Sequence, residues 1–377
     1  MNSSGLAADS ALRVVVLGAG VMGCAVAGEL ARRGCHVTVL EKAVPGAEAS
    51  RAAAGILGAA TEAEAPGALF DLCQFSLGLW PAFATALRAR TGRLLGFQAC
   101  GALQIAVSDS EVAGLRRKSA WLAAAGQRVE FSCAPLVQHL VQQFSFLAES
   151  VAAVAVFPGD GQVEPPLLAD ALAADAAACG ARVIPQQTVV SIEAWGGAVR
   201  AVRTSDAVYP ADAVVVAAGA WTDLLPDLAN RRTTITPEHG QLVQLRLPKV
   251  LFREVVAWQG GYLVPRPDGR VVVGATTEQT GYAKQVTAGG LAQLLARATA
   301  IVPALQHAEV MHHWSGLRPR SADGLPLLGP HQGVAGLHFA SGHHRNGILL
   351  TPATALLVAE GVLGQGFSHP LGAFLPG

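Results

Sequence analysis

The chain has 377 residues, enough for one large domain or two interleaved domains with a substantial apolar core. Lys and Arg number 27, as do Asp and Glu, so the formal net charge is zero and no basic stripe indicates nucleic acid or an anionic membrane. The uncharged stretch Val14–Gly28 is too short to span a bilayer and contains glycines, so we expect no membrane segment and a small-molecule partner.

The N-terminal residues lack a basic region followed by an apolar core and a small-residue cleavage site, so no secretory signal is expected and the predicted location is the cytoplasm. The chain has six cysteines and no Cys-x-x-Cys pair, a pattern that favours reduced, packed thiols over a disulfide framework. The cysteines are Cys24, Cys35, Cys73, Cys100, Cys133 and Cys179.

The first predicted elements form a βαβ unit. An apolar strand, Val14–Leu17, leads into the glycine-rich turn Gly18–Gly23 and an apolar helix that ends at Gly34. A second strand, His36–Leu40, then leads directly to Glu41. Strand, glycine turn, helix, strand and acidic residue follow one another in the order of a dinucleotide-binding unit.

Each glycine of Gly18-x-Gly20-x-x-Gly23 has a predicted physical role. Gly18 permits a tight turn, Gly20 lets the backbone approach a pyrophosphate, and Gly23 lets the helix pack on the strand. The helix amides would hold the phosphates, and Glu41 would accept hydrogen bonds from the adenosine ribose. The alternative is a glycine-rich start to a helix, with Glu41 merely solvated.

A second helix and a β-meander follow in the middle of the chain. Two prolines, Pro165 and Pro166, mark the first turn of the helix, and Gly180 lies past its end. Three apolar-alternating strands come next, joined by turns at Gly196-Gly197 and near Ser205-Asp206. Because a meander is awkward inside a purely parallel NAD domain, it indicates an FAD domain, and Gly219 would return the chain to the nucleotide.

Two further regions predict a second, woven-in domain. The region Thr85–Phe146 is mixed helix with short strands, and Thr236–Thr277 contains four strands with a hairpin signal at Pro267-Asp268-Gly269. The predicted fold class is therefore α/β, a Rossmann-like FAD-binding domain with a central parallel sheet and a β-meander, interleaved with an antiparallel-sheet substrate domain. The FAD-binding domain comprises 1–84, 151–230 and 313–377, and the substrate domain comprises 85–150 and 231–312.

The C-terminal region carries a cluster of polar donors. A strand ending at Phe339-Ala340 is expected to turn at Gly342 and start a helix near Gly347, which would direct backbone N–H groups and the positive end of the helix dipole at a ligand. The adjacent pairs His312-His313 and His343-His344 lack the spacing of zinc sites, so no metal site is predicted. Capping and packing roles are favoured over catalysis for the histidines.

The motifs together resemble the D-amino-acid-oxidase-like FAD-dependent oxidoreductases, and among them most closely the glycine oxidases of thiamine biosynthesis. The resemblance spans essentially the whole chain. It is carried by VVLGAGVMG, EASRAAAGILGA, VVVAAGAWT, YLVPRPDGRVVVGATT, VTAGGL, WSGLRPRSADGLPLLGP and GHHRNGILLTPAT, in the order of the family.

The resemblance implies an oxidative deamination of glycine, sarcosine or a small D-amino acid. A hydride would pass from the substrate Cα to flavin N5, giving an imine that water hydrolyses to a keto acid and ammonia, while O2 is reduced to H2O2. The FAD would be noncovalent, since no cysteine lies beyond Cys179 in the region where related sarcosine oxidases attach flavin. Because the cofactor performs the hydride transfer, no catalytic acid or base is predicted. A homo-oligomer is compatible with the resemblance.

The resemblance also implies the residues of the site. Arg318 would hold the substrate carboxylate through a two-pronged guanidinium contact, with Tyr262 closing over it and Arg345 nearby. For Arg318 the alternative is a buried structural ion pair, and Arg320 is expected in a turn near Asp323-Gly324. The predicted cofactor-binding residues are Gly18, Gly20, Val21, Met22, Gly23, Glu41, Lys42, Ala49, Ser50, Ala54, Gly55, Ile56, Val189, Gly219, His343, His344, Arg345, Asn346, Gly347, Ile348 and Leu349.

Three positions depart from the family pattern. Thr277 and Ile56 stand where methionines occur in some members, and His239 stands where a basic residue often precedes the glycine. All three are expected to line the pocket, where they would affect substrate size.

Three other functions remain open. The first is a dehydrogenase subunit of the same fold that passes electrons to a quinone or a partner protein. The second is an NAD-dependent dehydrogenase, which the same glycine motif would serve. The third is a flavin-bound scaffold without catalysis.

Overall fold

The computed structural model describes residues 11–133, 144–226, 228 and 232–377. Its strands in chain order are β1 Arg13–Leu17, β2 His36–Leu40, β3 Ile56–Leu57, β4 Ala102–Ala106, β5 Glu130–Cys133, β6 Ala153–Phe157, β7 Gly161–Gln162, β8 Arg182–Ile184, β9 Val189–Trp195, β10 Ala198–Thr204, β11 Val208–Pro210, β12 Ala213–Val216, β13 Ile235–Arg246, β14 Val255–Trp258, β15 Gly261–Pro265, β16 Arg270–Gly274, β17 Glu309–Ser321, β18 Leu327–Pro330 and β19 Leu337–Ser341. Its α-helices are α1 Val21–Arg32, α2 Ala49–Ala52, α3 Ala68–Thr91, α4 Asp109–Ala124, α5 Pro165–Ala178, α6 Ala288–Ile301 and α7 Thr351–Val362.

A six-stranded sheet is the centre of the nucleotide-binding half, with the strand order β18-β19-β12-β1-β2-β8. All its neighbours pair in parallel except β18, which runs antiparallel at the edge. The sheet is buried on both faces, which explains why β1 is almost continuously apolar. Helices α1, α5 and α7 belong to the core on one face, and the meander packs on the other. The predicted parallel sheet is confirmed.

The central meander is shorter than the sequence pattern indicates. Strands β9, β10 and β11 form a separate three-stranded antiparallel sheet. The flanking segments Arg182–Ile184 and Ala213–Val216, predicted as parts of the meander strands, instead join the parallel sheet as β8 and β12. The difference arises because β12 is buried at every position and lies between β1 and β19 inside the parallel sheet. The alternating residues that precede it in the sequence hide this burial.

An eight-stranded sheet with the order β17-β13-β16-β15-β14-β4-β6-β5 forms the other half. All but one of its pairs are antiparallel; β4 and β14 are parallel. A second apolar core lies between this sheet and α6. The sheet combines segments far apart in the chain, so the two halves are interleaved. The division into five numbered segments stays a prediction.

The C-terminal helix begins later than predicted. After β19 the chain turns at Gly342, whose φ is 74°, and forms a 3₁₀ turn at His344–Asn346. Helix α7 begins at Thr351, not near Gly347, with a proline in its first turn. The positive φ of His344, 47°, breaks the helical run between the strand and α7. The polar residues that follow β19 therefore belong to a tight turn and not to the start of a helix.

Within the described residues, no helix has both the length and the apolar character needed to cross a bilayer. The six cysteines are all free thiols, three buried and three partly exposed.

Candidate active site

The turn after β1 brings strand, helix and a neighbouring loop into contact. Gly18 has φ 103°, and a Cβ there would lie 2.6 Å from the carbonyl oxygen of Ala217. A Cβ on Gly23 would lie 1.8 Å from the carbonyl oxygen of Gly18. No side chain fits at either position, so α1 packs directly on the turn.

The start of α1 is built to receive an anion. Gly20, the N-cap residue, has an extended backbone and makes no side-chain capping hydrogen bond. The Val21 amide donates to Ser50 Oγ at 3.0 Å. The other amides in the first turn of this twelve-residue helix carry partial positive charge, which favours a phosphate group.

Glu41 follows β2 and lies beside this turn. Its Oε2 accepts a hydrogen bond from the Ala19 amide at 2.8 Å, and its Oε1 accepts one from the Ala43 amide at 2.9 Å. These bonds fix the carboxylate, and each oxygen keeps acceptor capacity for a sugar hydroxyl.

Small residues form the wall that follows α2. Gly55 has φ 87°, and a Cβ there would lie 2.0 Å from the carbonyl oxygen of Val163. The buried Arg266 donates to the carbonyl oxygen of Ala54 at 2.7 Å, which holds this segment in place. A flat ring can therefore approach the backbone of the segment closely.

The turn after β19 closes the opposite side. His343 is buried, its Nε2 lies 3.0 Å from Thr354 Oγ1, and burial lowers the pKa of this imidazole to about 3. It is therefore neutral at physiological pH. His344 Nε2 lies 2.8 Å from Glu238 Oε1. Both imidazoles therefore have a hydrogen-bonding partner, and the capping and packing roles expected for them stay a prediction.

One cavity connects these parts. It contains nearly all of the predicted site residues, from the glycine turn to the arginines. The predicted residues that line it are Gly18, Gly20, Val21, Met22, Glu41, Lys42, Ala49, Ser50, Ala54, Gly55, Ile56, Val189, Gly219, Tyr262, Arg318, His343, His344, Arg345, Asn346, Gly347 and Ile348. Two predicted residues lie outside the lining: Gly23 packs on the turn, and Leu349 is buried with its carbonyl oxygen accepting from Ser76 and Trp80.

Arg318 lies in the cavity wall far along the chain from the glycine turn. It is on β17, opposite Glu238 of β13, and a Cβ on Gly240 would lie 2.6 Å from its Nη1. The guanidinium thus packs over a glycine. Its Nη1 donates to the carbonyl oxygen of Thr276 at 3.3 Å and to Glu238 Oε1 at 3.5 Å. These long contacts involve only Nη1, and the guanidinium still lines the cavity.

Tyr262 of β15 lines the same end of the cavity. Its ring covers Gly274 in the neighbouring strand, where a Cβ would lie 2.5 Å from the phenol oxygen. Burial raises the pKa of the Tyr262 hydroxyl, while the nearby Arg318 and Arg345 act in the opposite direction. The phenol is therefore protonated at neutral pH and available as a donor.

Arg345 forms an ion pair with a residue that the sequence reasoning missed. Its Nε lies 2.9 Å from Glu62 Oε2, and both side chains line the cavity. The Coulomb attraction of Glu62 raises the pKa of Arg345. The two residues keep opposite charges side by side in the wall.

A buried network anchors the loop that carries Glu62. Asp160 accepts hydrogen bonds from the amides of Ala60 at 3.1 Å and Thr61 at 2.7 Å, and Lys118 Nζ donates to the carbonyl oxygen of Thr61 at 2.6 Å. Burial raises the pKa of Asp160 to about 6 and lowers that of Lys118 to about 8. The network fixes the backbone immediately before Glu62.

Two of the three departures from the family pattern lie away from the cavity lining. Ile56 lines it, but Thr277 is exposed and the buried His239 turns its Nδ1 to Glu278 at 3.1 Å. Arg320 lies within β17 and not in a turn, with its Nη1 3.4 Å from Glu238 Oε2. Arg318 and Arg320 are two residues apart on one strand, so their side chains point to the same face of the sheet and both contact Glu238.

The donor chemistry of the cavity fits an adenine dinucleotide. Within the described residues no group of three His, Cys, Asp or Glu side chains could hold a metal ion. The start of α1, the fixed carboxylate of Glu41 and the small-residue wall provide an anion site, a ribose acceptor and a surface for a flat ring. These are the features that FAD requires.

Comparison with known proteins agrees with this reading. Residues 13–361 match the family model described as DAO, FAD dependent oxidoreductase. The chain is 38% identical over 348 residues to a glycine oxidase of Geobacillus kaustophilus (strain HTA426), covering 92% of each protein. It is 34% identical to the bifunctional protein ThiO/ThiG of Trichormus variabilis over 93% of this chain and 53% of that protein.

The fold agrees as well. The crystal structure of glycine oxidase from Geobacillus kaustophilus superposes with a TM-score of 0.93 at 37% identity, covering 97% of this chain and 99% of that one. The chain therefore belongs to the DAO family of FAD-dependent oxidoreductases.

Proposed function

We propose that this protein is an FAD-dependent oxidase of glycine or a similar small amino acid or amine, such as sarcosine or a small D-amino acid. The observation that carries the proposal is that Arg318 lines the same cavity as the anion-binding start of α1. A carboxylate-binding group and a dinucleotide site share one enclosure, so an amino acid held by Arg318 would lie beside the cofactor.

Arg318 and Tyr262 would bind the substrate carboxylate. The guanidinium offers paired N–H donors that fix both position and rotation, and the protonated phenol adds a third donor. Gly240 and Gly274 support this role, since any side chain at either position would displace the arginine or the tyrosine. Arg345 would add positive charge on the same side, moderated by Glu62.

The nucleotide end would be held by backbone and carboxylate groups. The amides at the start of α1 would bind the pyrophosphate, Glu41 the ribose, and the backbone of Val189 the adenine. The segment Ala49–Ile56 and the turn His343–Ile348 would enclose the flavin ring from two sides. The binding is noncovalent in this proposal, since none of the six cysteines, all of which the structure describes, lines the cavity.

When bound, the flavin supplies the hydride acceptor for oxidation at the substrate Cα. The protein binds the carboxylate so that the Cα faces the ring side of the cavity. The substrate would bind with its amine as the free base, having left the ammonium proton with water in solution, because the Cα can release a hydride only when the nitrogen is uncharged. None of these tasks requires a side-chain acid or base on the protein, so we assign no residue that role.

The proposal includes four features beyond the family. Molecular oxygen would be the electron acceptor, and hydrogen peroxide would be the product. The enzyme would be cytoplasmic and would form homo-oligomers. It would serve thiamine biosynthesis, as the likeness to ThiO/ThiG suggests. The second candidate is a dehydrogenase of the same fold that passes electrons to a quinone or a partner protein.

Turnover under air distinguishes these candidates. Purified yellow protein should consume oxygen with glycine and release ammonia, glyoxylate and peroxide in equal amounts. With sarcosine, methylamine should appear in place of ammonia. A colourless protein that takes up no FAD would end the proposal. Reduction of an added quinone without oxygen uptake would replace the oxidase with the dehydrogenase.

A further inference from the structure

Glu238 is a buried carboxylate placed directly behind the substrate-binding arginine. It is 4% exposed, and it does not line the cavity itself. Its Oε1 lies 2.8 Å from His344 Nε2 and 3.5 Å from Arg318 Nη1, and its Oε2 lies 3.4 Å from Arg320 Nη1. Arg318 and His344 line the cavity, and both contact this carboxylate.

Glu238 carries its negative charge at neutral pH. The hydrogen bond from His344 lowers the pKa of its carboxyl group most, burial opposes that effect, and the charges of His344, Arg318 and Arg320 lower the pKa further. A fixed negative charge therefore lies close to the guanidinium that would receive the substrate carboxylate.

Each of the two arginines that line the cavity contacts a glutamate, and Glu238 is shared with Arg320, which does not line the cavity. Glu238 contacts Arg318, and Glu62 contacts Arg345. The wall thus offers guanidinium N–H donors without the excess positive charge that two unpaired arginines would create. A substrate with one carboxylate gains oriented hydrogen bonds, whereas a second carboxylate on the substrate would gain less attraction, because the two glutamates offset part of the positive charge of the arginines.

We propose that Glu238 sets the charge selectivity of the site, so that the enzyme favours amino acids with a single carboxylate over amines with two. The inference deepens and rests on the proposed function. Glu238 acts through Arg318 and His344 and does not touch the reacting atoms, so it is a specificity-determining residue and not a catalytic one.

Two N-substituted glycines test the proposal. Sarcosine carries a methyl group on nitrogen and iminodiacetate carries a carboxymethyl group, so they share the carboxylate held by Arg318 and differ by one negative charge. The ratio of their kcat/KM values cancels any general loss of positioning in a variant. In Glu238→Gln the kcat/KM for iminodiacetate divided by that for sarcosine should rise at least about tenfold, which is the effect of one charge at close range in a partly buried site.

A matched control is Glu193→Gln. Glu193 also pairs with an arginine, Arg203, at 2.6 Å, but it lies on the meander strand β9 and not at the cavity. This variant should keep the wild-type substrate ratio. Glu238→Asp, which keeps the charge, should stay within about threefold of wild type, and Glu238→Ala should follow Glu238→Gln if the glutamine variant fails to fold.

A binding measurement separates this inference from the proposed function. Calorimetric titration of the FAD-loaded protein with acetate and malonate needs no turnover. Wild type should bind malonate no more tightly than acetate, and Glu238→Gln should shift the ratio of the two Kd values toward malonate by about tenfold. If wild type oxidises no amine yet this shift appears, the proposed function fails and the charge selectivity stands. Two results would overturn the inference. One is a folded Glu238→Gln or Glu238→Ala variant whose kcat/KM ratio and Kd ratio both stay within twofold of wild type. The other is a wild-type protein that strongly prefers malonate.

Discussion

Replacing Arg318 by alanine should weaken substrate binding far more than it lowers the stability of the fold. Its contacts with Thr276 and Glu238 are long, 3.3 and 3.5 Å, and Glu238 keeps its shorter contact with His344, so the fold loses little. A substrate carboxylate loses a charge-assisted pair of hydrogen bonds, about 1.5–3 kcal/mol. That loss converts to a rise in the glycine KM of roughly 10- to 150-fold.

Steady-state oxygen uptake against glycine concentration measures this change, with FAD content and melting temperature recorded on the same preparation. Because the carboxylate contact is the same before and during hydride release, KM should rise while kcat changes little. The control is Arg320→Ala: Arg320 touches the same glutamate but lies outside the cavity lining, so KM should stay within about threefold. An Arg318→Ala enzyme with unchanged KM and full flavin would remove Arg318 from the site.

Three further changes probe the cofactor end. Gly20→Val should lower FAD occupancy severalfold, because even a Cβ at this position would lie 2.9 Å from Ser50 Oγ and the larger side chain would block the phosphate site; full flavin content by absorbance would show the turn to be misassigned. Arg266→Met should speed FAD release in a dilution assay, because it removes the bond to Ala54 O, and an unchanged release rate would rule out that role. The pKa of His343 is about 3 in the folded protein against 6.5 ordinarily, so the unfolded imidazole takes up a proton below pH 6.5 while the folded one stays neutral, and the free energy of unfolding falls as pH drops toward 3. Urea unfolding at pH 7 and pH 5 should therefore show a smaller fall in the free energy of unfolding for His343→Gln than for wild type, by up to about 1.4 kcal/mol per pH unit. An equal fall in the two proteins would contradict this account.

The parts of the site that lie close together in the chain were predictable. The glycine turn, α1 and Glu41 fall within one βαβ unit, so spacing alone predicts their proximity. The strands β13 to β16 were likewise predictable, since alternating apolar residues and turn signals are local. The resemblance to a known family supplied Arg318 and Tyr262, which no local pattern distinguishes from core residues.

The two glutamates escaped prediction because their partners are distant in the chain. Glu238 meets Arg318 and Arg320 only through the register of β13 against β17, and Glu62 meets Arg345 from a loop far away in the chain. The parallel pairing of β4 with β14 and the late start of α7 at Thr351 depend likewise on tertiary packing. One signal was available: an acidic residue two positions before the glycine that faces Arg318.

The most direct measurement of the central claim is the visible spectrum of the purified protein mixed with glycine in the absence of oxygen. The account predicts that the yellow absorbance fades as the amine is oxidised, and that admitting air restores it while peroxide appears. Absorbance that glycine, sarcosine and small D-amino acids all leave unchanged, or that fades only with NADH, would contradict it.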